Sequence, residues 1–138
     1  MARKTATIVI ENGRDKGQRF VVKEMPATEG SVLSFQVFQL LAEAGIDLEL
    51  KSLDMSVIIR SLMRVVATMS RAEFENYRDW LFKYIEWQSP TDVKTTRKVI
   101  IDSDIEDALT IHRLMIEAFK LNLEDVFLGL KQFFPSLK

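Results

Sequence analysis

The apolar residues change their spacing at Pro26, and that change limits what the chain can fold into more than any other feature. Ahead of it, Thr5 to Ile10 and Arg19 to Lys23 are short β-branched or aromatic runs. Asn12-Gly13 and Gly17 between them supply turn residues that tolerate positive φ, so the pattern predicts a β-hairpin. Beyond Pro26, from Thr28, the residues Val32, Phe35, Phe38, Leu41 and Ala42 recur every three or four positions. That is one face of an amphipathic helix, and Gly45 suits its C′ position.

Further helices follow. One begins near Leu53 or Asp54, with Ile58, Ile59, Leu62, Met63 and Val66 as a broad apolar face expected to be buried. Ser70 with Glu73 makes a capping box, and Met69 can staple against Phe74, which opens a third helix running to about Lys83. Its face is Phe74, Tyr77, Leu81 and Tyr84, joined by Trp80. Pro90, Asp92 and Lys94-Thr95-Thr96-Arg97 then separate two short apolar runs, Ile85 to Trp87 and Val99 to Ile101, which predicts a loop with a second small strand pair. Ser103 with Glu106 reads as another capping box, before a stripe of Ile105, Leu109, His112, Met115 or Ile116, and Phe119. A last short helix is expected over Leu123 to Lys131.

These elements describe a mainly α fold with a small β component, an N-terminal hairpin packed on a bundle of four to five helices. A chain of 138 residues fits one domain, residues 1–138, and can bury roughly two-thirds of its extended surface. With 47% hydrophobic and 28% charged residues it is too apolar to stay disordered. It has no cysteine, which removes disulfides, thiolate metal sites and cysteine nucleophiles together and favours a reducing cytoplasm. Only Ile8-Val9-Ile10 follows Arg3 and Lys4, too little for a secretory signal, and no apolar run of about 18 residues could span a membrane. The expectation is a soluble cytoplasmic protein. A net charge of -1 argues against a dedicated nucleic-acid binder.

Catalysis needs a nucleophile, base or metal held by partners. The only histidine, His112, falls on the apolar stripe of its helix and is read as packed and hydrogen-bonded. Asp102, Asp104, Glu106 and Asp107 lack the glycine and distal glutamate of an EF-hand loop, and carboxylates in a first helical turn are explained by the helix dipole. Gly13 and Gly17 bracket Arg14, Asp15 and Lys16, but no GKS or GKT follows, so this is a hairpin turn rather than a phosphate cradle. Neither a G-x-S-x-G frame nor an H-E-x-x-H pair occurs. No catalytic residue, cofactor or metal site is expected, and the chain is not read as an enzyme.

Charge is unevenly distributed. Arg3, Lys4, Arg14, Lys16, Arg19 and Lys23 face two acids in the first 23 residues, whereas residues 102–107 hold four acids and no base. Contacts between Arg14, Lys16 and Arg19 on one copy and Asp102, Asp104 and Asp107 on another would give head-to-tail homo-oligomers. Two solvated faces of a monomer fit the pattern equally well. Near the C-terminus Phe127, Leu130, Phe133 and Phe134, with Leu128, either dock on the core or offer a partner-binding surface.

Two stretches resemble a known family. Gly17-Gln18-Arg19-Phe20-Val21-Val22-Lys23-Glu24-Met25-Pro26-Ala27, followed at once by a helix, is similar to the opening of the tail assembly chaperones of long-tailed bacteriophages. Arg97-Lys98-Val99-Ile100 leading into Asp104-Ile105-Glu106-Asp107, then Leu114 through Phe119-Lys120-Leu121-Asn122, resembles that family's closing helix. The resemblance implies a protein that binds the tape measure protein, keeps it soluble in the host cytoplasm and helps recruit tail tube protein, and that leaves before the virion is finished. The alternative is a nucleic-acid-associated regulator that sets the basic hairpin against phosphates, with affinity falling steeply with salt.

Overall fold

The computed structural model describes residues 3–45 and 55–133. The hairpin forms as expected, from β1 (Thr5–Val9) and β2 (Arg19–Lys23), paired antiparallel with Ile8 opposite Phe20. Gly13 and Gly17 in its turn take φ of 85° and 91°, which glycine adopts without a Cβ penalty. Three helices follow: α1 (Ala27–Glu43), α2 (Met55–Val66) and α3 (Arg71–Phe82). The chain then returns to the sheet with β3 (Ile85–Gln88) and β4 (Thr96–Lys98), before a single turn, α4 (Ile101–Asp104), and the long α5 (Ala108–Phe133).

The second strand pair is not separate. β3 pairs with β2, so all four strands form one antiparallel sheet in the order β1-β2-β3-β4, with three helices inserted between its second and third strands. The pair also sits earlier than expected on its second strand: Val99 is buried just past β4, and Ile101 opens α4. Side chains alternate across the sheet. Ile8, Phe20, Val22 and Ile85 are buried on one face, and α5 packs against the first two strands. Each such large apolar side chain contributes roughly 1.5 to 3 kcal/mol over an exposed one.

The helices bury faces that their spacing alone does not select. In α1 the buried residues are Leu33, Ser34, Val37 and Leu41, whereas Val32 is exposed and Phe35 is 65% exposed. Both runs satisfy a three-four spacing, and only packing against α2 and α5 decides which is covered. α2 buries Ile58, Leu62 and Val65, but Met63 stays exposed. At α3 the Ser70 hydroxyl accepts the Glu73 N–H at 3.2 Å, and Met69 and Phe74 both pack against the core.

Ser103 does not open a long helix. It lies inside α4, and its N–H donates to the Ile100 carbonyl. Ile105 is extended and buried, and Asp107 is the residue that caps α5, accepting the Leu109 N–H at 3.1 Å. The separate helix expected at Leu123 is part of α5, which runs unbroken through that residue. Its buried stripe is Thr110, Leu114, Met115, Ala118, Phe119, Asn122, Leu123 and Phe127, and Leu109 is 71% exposed.

Candidate partner-binding site

Five positions of the Gly17 to Ala27 string have a clear physical task. Phe20 and Val22 are fully buried on the inner sheet face. The Glu24 carboxylate accepts the Lys4 N–H at 3.0 Å, while its own N–H donates to the Lys4 carbonyl, which closes the open end of the hairpin. Met25 is buried, and its N–H donates to Asn122 Oδ1 at 2.9 Å. Pro26 stands at the N-cap of α1, and its carbonyl accepts from Glu29 and Gly30. Proline at this boundary costs no helical hydrogen bond.

The hairpin turn is anchored to the start of α5. Asp15, 3% exposed, accepts the Glu106 N–H at 2.8 Å, the Asp107 N–H at 3.0 Å and the Thr110 hydroxyl at 2.7 Å. Burial alone would raise its pKa, but these donors and the nearby Arg14 charge outweigh burial and hold the carboxyl below its ordinary value. A Cβ on Gly13 would meet Asp107 Oδ2 at 2.8 Å, so the turn fits closely there. At the far corner Arg97 grips Asp104 with both guanidinium nitrogens, at 2.8 and 2.6 Å, and lies 4.3 Å from the centre of the Trp87 ring. That pairing holds the Asp104 carboxyl below its ordinary value.

These contacts place the charges expected to join copies. Asp104 and Asp107 are engaged within the chain, and Arg19 Nε donates to Gln88 Oε1 at 3.0 Å. Arg14, Lys16 and Asp102 are exposed. Of the C-terminal aromatics, Phe127 is core: it is 3% exposed, with its ring 5.0 Å from that of Phe38. Leu130 and Phe133 fall on the last turn of α5, and Phe134 lies outside the described residues. The expected packed histidine is instead exposed, its ring tilted against Phe74 at 5.8 Å.

His112 marks a cleft that the sequence reading missed. Between α2, α3 and α5 the residues Ile59, Met63, Phe74, His112, Ile116 and Phe119 surround an open, almost wholly apolar volume of about 170 Å³. A void of about 150 Å³ holds a benzene ring, so this one admits a large side chain from outside. Met63, 45% exposed, and the buried Met115 also line it, and methionine adapts its shape to different occupants. The signal was present in the broad apolar face of α2, which is wider than its neighbours cover. A second groove, between α1 and α3, is more polar and is lined by Glu29, Val32, Gln36, Glu73, Tyr77 and Trp80. Among the described residues no cluster of His, Asp or Glu could hold a metal ion, and no helix is long and apolar enough to cross a membrane.

A hairpin locked to a long closing helix through the two quoted motifs stands beside an apolar cleft open to a side chain from outside. The phage tail assembly chaperone family model (Phage tail assembly chaperone protein, TAC) matches residues 16–134, most of the chain, and the protein belongs to that family. No curated protein and no solved structure matches the chain.

Proposed function

We propose that this chaperone binds the tape measure protein during tail assembly, keeps it soluble and helps recruit tail tube subunits, acting by contact rather than by catalysis. The observation that carries the reading is the open apolar cleft between α2, α3 and α5. A long client needs its apolar surface covered before assembly, and docking of helical segments in a groove supplies such cover. Methionine at the mouth suits a surface that must accept many similar segments in turn. The host cytoplasm is the compartment in which such a client is made.

Co-expression with the tape measure protein of the same phage tests this. Wild-type chain should move the client into the soluble fraction. Met63→Glu, which places a charge at the exposed mouth of the cleft, should leave the chaperone folded and the client insoluble. Equal client solubility with both forms would remove the cleft from the account.

A further inference from the structure

The cleft's surroundings carry a charge pattern that narrows its occupant. α2 contains Arg60 and Arg64 and no acidic residue. Successive helical residues turn by 100°, so Arg60 stands beside the lining residues Ile59 and Met63, at the outer edge of the α2 wall, and Arg64 lies one turn further along. On the opposite wall Lys120 stands next to Ile116 by the same geometry, with Arg113 further round. None of these four cations makes an ion pair among the described residues, whereas the arginines of α3 are neutralised locally, Arg71 by Glu75 and Arg78 by Asp79. Glu117, the acid on this part of α5, lies nearly opposite the cleft-lining residues around the helix.

We propose that the cleft selects amphipathic helices whose apolar ridge is bordered by carboxylates on the side that meets α2. The proposal rests on the client reading above and adds a rule for which segments of the client are held. The apolar volume takes one anchoring side chain and supplies the contact. Arg60 and Arg64, exposed and without an ion pair among the described residues, choose among apolar ridges by the charge beside them, as interface rims do. A helix bordered by lysine would set like charges against α2 and be rejected. Segments with acidic borders would be covered first, and release would be favoured by salt, which screens the rim and leaves the apolar contact in place.

Two synthetic helices with the same leucine ridge, one bordered by glutamate and one by lysine, are the probes, with binding to the full chain read by fluorescence anisotropy. At low salt the glutamate helix should bind about tenfold more tightly, and the difference should shrink at high salt. Arg60→Glu with Arg64→Glu should reverse the preference, while Met63→Gln, which weakens the apolar contact without adding charge, should weaken both helices alike. Equal binding of the two helices, or a preference that survives the double reversal, would overturn the charge rule. A self-associated species that Met63→Glu dissolves would overturn it too, by making a second copy the occupant. If the double variant still solubilises the tape measure protein and Met63→Glu does not, the client reading stands and the charge rule falls. If Met63→Glu solubilises it as well, the cleft reading itself has failed.

Discussion

Asn122 Oδ1 accepts the Met25 N–H at 2.9 Å across 97 positions of sequence, while Asn122 Nδ2 donates to the Ala118 carbonyl at 2.8 Å. Met25 lies in the motif that ends the hairpin, and Asn122 lies in the stretch that recurs in the closing helix. This buried amide therefore ties together the two stretches by which the chain resembles its family. Removing the amide strands a buried N–H. Asn122→Leu should lower stability by roughly 2 to 3 kcal/mol in denaturant unfolding, because an unpaired buried donor carries its full desolvation cost. A change below the fitting error would show that the bond is incidental.

The anchoring of the hairpin turn gives a pH dependence whose sign is fixed. Asp15, Asp104 and Glu86 all have folded pKa values below the ordinary carboxylate range, the last held there chiefly by its hydrogen bond to Lys23 and a further one to Thr96, against the effect of burial. A depressed folded pKa gives stability that is present above the unfolded value and lost as pH falls through the folded one. Thermal stability should therefore be level near neutrality and decline below about pH 4. Asp15→Asn should flatten part of that decline, and an unchanged acid limb would mean that Asp15 contributes nothing to it.

Phe127 is core, and whether Phe133 and Phe134 are core or a partner surface is decided by which measurement their replacement moves. Phe127→Ala empties a site against Phe38 and should cost roughly 3 to 5 kcal/mol. Phe133→Ser with Phe134→Ser should leave helix content nearly unchanged and impair client solubility if these residues form a partner surface. If they are core, the melting temperature should fall instead.

The elements were largely legible from the sequence, and their faces were not. The hairpin and the α3 cap follow from turn and capping residues, which are local, whereas the start and the length of α5 do not. Phe35 and Leu109 sit on three-four repeats as regular as those of Leu33 and Leu114, and only the placement of the elements packed against each helix decides which repeat is covered. The same holds for the charges. Asp15 looked like one more polar turn residue, and its burial depends on backbone donors about 90 positions away. An apolar face is visible in sequence, whereas which part of it the other described residues leave uncovered is a tertiary property, so the cleft was not legible there.

Self-association is expected to be salt-sensitive and carried by the exposed charges Arg14, Lys16 and Asp102. Sedimentation at low salt should show oligomers that dissociate as salt rises, since exposed pairs are screened beyond about 10 Å at 0.1 M. Arg14→Glu with Lys16→Glu should shift the chain toward monomer. Oligomers of unchanged size in that variant would assign the contact to other residues.

The claim that the α2, α3 and α5 cleft holds the client can be tested residue by residue through the methionine methyl groups. Met63 and Met115 line the cleft, whereas Met25 is buried at the end of the hairpin. With methyl-labelled methionine, adding a tape measure fragment should shift or broaden the Met63 and Met115 signals and leave Met25 in place. Binding that moves neither Met63 nor Met115 would contradict the account.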